Sequence, residues 1–498
     1  MATAAPAYRF GHKPKSYKNM SWGRSIVVTR RSLLSFALVS AAQLRTAAAQ
    51  SSLKSSASDS SELTGKIFLR GDTEYEPLRQ AATWNARKPN RFPTAIVLPE
   101  NERDVIAAVK MAKSRGWQVT TRSGGHSFTG SHTRDNAVQI NLARMKELSV
   151  DAEARVASVS PGWKCGPFNN VLREKHGLMF PVAHGFDVGL GGFVLCGGHG
   201  WNSAVLGLGC ENLRGLDVVT ADGELIHADE KQNSEFLWAA RGAGPGFFGV
   251  AVRYYLDIHP QPTYVRLNQY VFPLDVADDA AAWVDSTRFP AFMEPVVAYV
   301  IGKDGKPVFA VIVVSFASSQ DEANAASAIM SACPIANKAM VKTVDAPAII
   351  PAKSEAEDAF IVPTGGRFTV DGAYSNASLA KMVSLLREEM ASPPTPYCNF
   401  AIGRWKPIGK VKDMAYSISG QHYFSAMGVS YDPADDERCA AWLERMIKKM
   451  TPIATGAQMN DENMPVNKLP YLSQEVSARL EALRAKYDPD RRFASFLK

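Results

Sequence analysis

Six cysteines in 498 residues, at Cys165, Cys196, Cys210, Cys333, Cys398 and Cys439, form no CxxC pair and no His/Cys spacing suited to zinc. A zinc-finger or disulfide-scaffold architecture is excluded on that ground, while the pairing state of the six is left open. His132, His176, His184 and His199 do not fall at helical i, i+4 spacing, so a histidine-held metal is not expected. No internal repeat is present, which excludes a solenoid or propeller. Beyond the N-terminal leader no segment approaches the ~20 apolar residues needed to span a bilayer. Acidic residues are absent from positions 1–49, which carry eight basic ones; the net charge of +7 therefore leaves the body of the chain near −1. A nearly neutral body removes the electrostatic case for a nucleic-acid partner.

The leader runs from a basic region through Thr29-Arg30-Arg31-Ser32-Leu33-Leu34 into an apolar stretch, then Ala47-Ala48-Ala49. That order is the order of an export signal, and the paired arginines resemble a twin-arginine signal, whose route carries folded proteins. Cleavage near Ala49 and export to the periplasm or medium is the expectation; a mitochondrial presequence or a single anchor is the alternative. A Ser-rich linker follows over 50–61. With 46% hydrophobic residues, the remainder is long enough for two or three cored domains.

Ala95–Leu98 reads as a strand, and Asn101 caps a helix with Val105, Ile106, Val109 and Ala112 on one stripe, ended by Gly116. A strand over Trp117–Thr121 then enters Arg122-Ser123-Gly124-Gly125-His126-Ser127. Two glycines let backbone N–H groups approach an anion, and Arg122 would balance a pyrophosphate charge. Alone, a Gly-Gly pair is more simply a turn. The second signal lies at Gly189–Gly200, where six of twelve residues are glycine, including Gly191, Gly192, Gly197, Gly198 and Gly200. A third glycine-dense segment spans 236–250. From about Pro260 the texture changes, with an apolar strand over 308–314, an Ala-rich helix over 321–332, and a last helix capped by Ser473.

With three glycine-dense segments in this order and a histidine inside the first, the chain resembles the FAD-linked oxidases of the vanillyl-alcohol-oxidase type, in particular the berberine-bridge-enzyme-like branch. The resemblance covers roughly residues 75–498 and is most specific in the first domain and the last forty residues. It implies an α+β fold: a two-subdomain PCMH-type FAD-binding domain (62–260, joined by the C-terminal segment 451–498) and a substrate domain (261–450) whose antiparallel sheet is covered by helices. It also implies that Arg122 to Ser127 bind the FAD pyrophosphate and that His126 is bonded to the flavin 8α carbon, an electron-poor position open to an imidazole nucleophile. The plainer reading is that His126 bonds a phosphate or caps a turn. Gly191, Gly192, Gly197, Gly198 and Gly200 would let the main chain lie along the flavin, with Val250 near the adenine half and Asn460 touching the ring. Doubly attached members carry a cysteine six residues before the Gly-Gly pair, a position that falls here on Gly185. A single covalent bond is expected, with Cys196 a packing residue.

The implied reaction moves a hydride from a C–H of an alcohol, sugar or amine to flavin N5, and then returns the electrons to dioxygen, giving hydrogen peroxide. A dehydrogenase using a quinone or cytochrome acceptor is the alternative. The glutamate base of berberine-forming members falls on Ala426, so no carboxylate is available there. His422 and Tyr423 are the candidate catalytic groups, with Arg404 and Tyr397 upstream. A flavin or small-molecule carrier without turnover is a reading from another class, motivated by the absent glutamate and cysteine.

Overall fold

The strand, helix and strand that lead into the first glycine loop set the geometry of everything behind it. In the computed structural model, which describes residues 64–302, 304–354, 365–404, 412–459 and 463–497, they belong to a four-stranded sheet of β1 (Lys66–Leu69), β2 (Ala95–Leu98), β3 (Gln118–Arg122) and β4 (Ala137–Asn141). Its order is β1-β2-β4-β3, with β4 parallel to both neighbours. The connecting helix, Glu102–Ser114, starts where the Asn101 side chain accepts the Asp104 N–H. It buries Val105, Ala108, Val109 and Ala112, the 3.6-residue stripe expected of an amphipathic helix. The leader 1–49, the linker 50–61 and Asn460 lie outside the described residues.

A second, antiparallel sheet comprises β5 (Leu148–Asp151), β6 (Val156–Val159), β8 (Leu213–Val219), β9 (Leu225–Ala228) and β10 (Val250–Asp257), ordered β5-β6-β10-β8-β9. Two short strands, β7 (Leu178–Met179) and β11 (His259–Pro260), pair beside it. Val219, Val250 and Val252 of this sheet pack into one core with Val97, Val119, Val138 and the Glu102–Ser114 helix. Phe493, near the C-terminus, bridges to Val119 of β3.

The third sheet holds β12 (Tyr264–Pro273), β13 (Met293–Ile301), β14 (Pro307–Ala317), β15 (Val341–Pro347), β16 (Arg367–Ser375), β17 (Asn399–Arg404), β18 (His422–Ser430) and β19 (Ala454–Gly456). The order is β15-β12-β14-β13-β17-β18-β16-β19, antiparallel throughout. One face is covered by helices Ala277–Ser286, Leu379–Ala391 and Asp436–Met450, which bury Trp283, Leu386 and Trp442 against Tyr299, Phe400 and Phe424. Because side chains alternate along a strand, Phe424 and Ala426 under the helices force Tyr423, Ser425 and Met427 to the opposite face. That face looks back toward the two glycine loops, and all three sheets belong to one compact unit, Gly65–Lys498. The α+β class and the helix-covered antiparallel sheet are as the sequence implied.

Candidate active site

Two backbone segments meet behind β3. The loop Ser123–Ser127 lies directly against residues 189–192, which open the short helix Leu190–Leu195. A Cβ on Gly124 would fall 2.4 Å from Gly189 N and Cα, and one on Gly189 would fall 2.2 Å from Gly124 N. Only glycine allows chains to approach that closely. The Ser123 hydroxyl pins the junction, donating to the Pro161 carbonyl at 2.6 Å and accepting from the Gly191 N–H at 3.2 Å. The Gly125 carbonyl accepts the Trp84 N–H at 2.8 Å, and Ser127 Oγ accepts the Ser131 N–H at 3.0 Å.

Arg122 does not stand free to balance a phosphate. Its guanidinium donates to Ala82 O at 3.1 Å, Asn141 Oδ1 at 3.2 Å and Gly124 O at 2.9 Å, so it ties the loop to residues 82 and 141. Those three acceptors are neutral, and burial pulls its pKa down to about 10. The positive charge thus stays in the loop uncompensated by a carboxylate and would act on an anion through space rather than by direct contact.

The expectation for the second glycine cluster narrows as well. A Cβ on Gly191 would meet Pro161 at 2.7 Å, on Gly197 the Tyr416 ring at 2.5 Å, on Gly198 the Gly209 backbone at 2.8 Å, and on Gly200 the Val182 carbonyl at 2.3 Å. Those four glycines are required by the chain's own packing. Gly192 is different: nothing lies within 4 Å of its Cβ direction, and the residue is exposed. Val250 is fully buried and paired with Val219, so only its backbone is available to a ligand. Cys196 packs half-buried against the second-sheet core.

His126 stacks on Trp84, with ring centroids 4.4 Å apart and planes 23° apart, and meets Phe128 edge-on. Its Nε2 lies 3.3 Å from Asp187 Oδ1 but off the line of a hydrogen bond. Burial alone would raise the Asp187 pKa; the His126 ring and charge, Lys164 and the Trp84 indole outweigh it and hold the carboxyl below its ordinary range. Sequence reasoning missed Asp187. Its only signal was a carboxylate two residues past Gly185, inside a segment bracketed by glycines.

On the third sheet the two catalytic candidates separate. His422 shares the helix-covered face with Phe424; its Nδ1 lies 2.9 Å from Ala377 O, and burial, aided by Arg404, lowers its pKa against the opposing pull of Ala377 and Asp285. The structure does not bring His422 to the cleft, because adjacent strand residues point to opposite faces. Arg404 likewise faces away, donating to Thr287 O at 3.4 Å, and Tyr397 is an exposed ring beside Tyr431.

Tyr423 faces the loops. Its ring lies 4.8 Å from that of Tyr374, its register partner, and 5.6 Å from His199 of the second glycine segment. The Tyr374 hydroxyl shares a 2.5 Å hydrogen bond with Tyr416 and donates to Gln458 Oε1 at 3.2 Å, and the same oxygen lies 3.2 Å from His199 Nδ1. Burial, aided by His184, lowers the His199 pKa well below its ordinary value against the opposing bond of Gln458, and burial pushes the Tyr416 phenol well up. Gly372 makes room for the Tyr423 hydroxyl, which would sit 2.5 Å from a Cβ there.

Loops in backbone contact, Gly192 opening on free space, and a buried guanidinium with no carboxylate partner among the described residues together fit an anionic dinucleotide. Comparison with known proteins agrees. A family model described as FAD binding domain matches residues 93–229, which include both loops. The chain is 29% identical over 433 residues to the FAD-linked oxidoreductase nodO of Hypoxylon pulicicidum, covering 84% of this chain and 94% of that protein. It is 35% identical over 215 residues, 43% of each chain, to a xylooligosaccharide oxidase of Thermothelomyces thermophilus. Among solved structures, BBE-like 1 of Physcomitrella patens superposes with a TM-score of 0.74 at 19% identity, over 87% of this chain and 97% of that one. The chain is therefore an FAD-dependent oxidoreductase that carries an FAD binding domain over residues 93–229 and shares the fold of BBE-like 1.

Proposed function

We propose that this enzyme takes a hydride from a C–H of an alcohol, sugar or amine-type small molecule and gives the electrons to dioxygen, releasing hydrogen peroxide, with a single FAD bonded through His126. The observation that carries this reading is Tyr423, a phenol on the loop-facing side of the sheet, set against neutral His199 and the Tyr374 ring. Bound FAD supplies the two-electron acceptor. Every other task falls to the chain. Ser123 and the Gly124–Gly189 contact hold the two loops together. Gly192 leaves a place for the ring, and the Arg122 charge favours the phosphates. Tyr423, having given its own phenol proton to solvent, takes up the substrate's O–H or N–H proton as the phenolate while the C–H bond breaks. The short Tyr374–Tyr416 bond and Gln458 keep the neighbouring phenol in place, so that the Tyr423 ring has a fixed wall to pack on. The FAD-binding residues are assigned as 62–260 with 451–498, a partition supported by the Phe493–Val119 bridge, and 261–450 carry the substrate. Export after cleavage near Ala49 completes the reading; a leaderless and a full-length chain should differ in whether the enzyme reaches the periplasm.

The test is anaerobic mixing of the purified enzyme with a panel of alcohols, sugars and amines, followed by air. Bleaching of the flavin by at least one class, with fast return of colour and one peroxide per turnover, is expected. Slow return in air but fast return with a quinone would make it a dehydrogenase, and no bleaching by any class would make it a carrier. Acid precipitation tests the bond: the colour should stay with the wild-type pellet and leave the His126→Ala pellet.

A further inference from the structure

We propose that Asp187 is the positioning residue for attachment of the flavin to His126. The inference rests on the histidyl bond proposed above and adds to it a residue that no motif singled out.

A neutral imidazole carries its proton on one nitrogen and offers the lone pair of the other. A carboxylate beside Nε2 selects the form with the proton on Nε2, which leaves Nδ1 as the nucleophile. Asp187 Oδ1 is 3.3 Å from Nε2, and both side chains are only 13% exposed, so the charge acts in a poorly screened setting. Trp84 stacks on the ring from one side and is tied to the loop by its N–H to Gly125 O at 2.8 Å. Trp84 thus holds the plane of the imidazole, and the Asp187 charge beside Nε2 favours the tautomer that carries its proton there. Lys164 is the remaining charged group acting on this carboxylate.

An Nδ1–C bond forms at the 8α carbon and one C–H bond there breaks. That hydrogen leaves as a proton, the Nε2 proton passes to Asp187 and on to water, and the C–H electron pair passes through the ring system to dioxygen, which becomes hydrogen peroxide. Without the carboxylate the ring would become cationic in a half-buried site with no counter-charge at Nε2, and attachment should slow.

The experiment compares wild type with Asp187→Asn, both purified and incubated with FAD, scoring fluorescence that survives denaturing electrophoresis beside total bound FAD. Full attachment in wild type, and at least a tenfold slower attachment in Asp187→Asn with FAD still bound, is the expected result. In Asp187→Ala, added formate should restore attachment, which a purely structural role would not permit. The rate in Asp187→Asn should also rise with pH between about 6 and 8, as the ring loses its own proton unaided, while wild type stays flat. Attachment at the wild-type rate in Asp187→Asn overturns the assignment. So does a variant that binds no FAD at all and is not rescued by formate, since the residue would then belong to the binding site. Flavin fully extractable from wild type would instead refute the histidyl bond itself, a separate result.

Discussion

Gly124 and Gly192 lie in the same cradle for opposite reasons, and replacing each by alanine should separate them. At Gly124 the new methyl would sit 2.4 Å from Gly189 N and Cα. Non-bonded carbons rest at about 3.5–4.0 Å, so the two segments must part by roughly 1 Å. Neither neighbour is a side chain that can rotate away. Overpacking of this kind costs about 1–3 kcal/mol. Parting the segments also stretches the Ser123 bonds to Pro161 and Gly191, worth about 0.5–1.5 kcal/mol each. The melting temperature should fall by about 2–6 °C for a unit of this size. At Gly192, with nothing within 4 Å, alanine meets no protein atom and stands inside a helix, where it is about 0.8–1.0 kcal/mol better than glycine. Stability should hold or rise, yet the methyl would enter the space assigned to the cofactor. Measured in a His126→Ala background, where FAD exchanges freely, the affinity should weaken about 5- to 100-fold. Thermal unfolding and FAD titration on both variants decide the matter. Unchanged FAD affinity in Gly192→Ala would refute the placement of the cofactor, and wild-type melting of Gly124→Ala would refute the packing account.

Tyr423→Phe should lower kcat/KM by about 10²–10⁴-fold with FAD content and melting unchanged, whereas His422→Gln should leave kinetics near wild type and lose about 1 kcal/mol through its buried bond to Ala377 O; steady-state kinetics that rank the two in reverse would return His422 to the reaction. His132 is buried behind the Arg122 loop, and burial, with the charges of Arg122, Arg91 and Arg134, lowers its pKa to about 3. A folded pKa below the unfolded value of about 6.5 means that its contribution is complete above that pH and is lost as pH falls toward 3. Acid unfolding should therefore begin below neutrality, and His132→Asn should flatten that limb of the melting curve; an unaltered limb would show the proton to bind elsewhere.

The fold was largely legible because its signals are local. The Asn101 cap and the Val105, Val109, Ala112 stripe specify a helix by spacing alone, and Asp222-Gly223 marks the turn between β8 and β9, where Gly223 takes φ +74°. Two glycine loops separated by some sixty residues announced an anion cradle, and the class of enzyme followed from their order. Which glycine serves the ligand could not be read, since a position that packs on its own chain and one that opens on empty space are the same letter. The choice between His422 and Tyr423 was hidden for a related reason. They are neighbours in sequence, and only the pairing of β18 with β16 and β17, under helices from elsewhere in the chain, decides which side of the sheet each one faces. Asp187 belongs to the same category, since its meeting with His126 across some sixty residues is a product of the Gly124–Gly189 contact. The sequence by itself determined the anion cradle and its histidine, because backbone freedom and nucleophilicity are properties of single residues, and the kind of cofactor came from the family resemblance those loops carry. The face that Tyr423 presents and the carboxylate at His126 were decided by tertiary structure, because a side chain's direction and its partner depend on packing between distant segments.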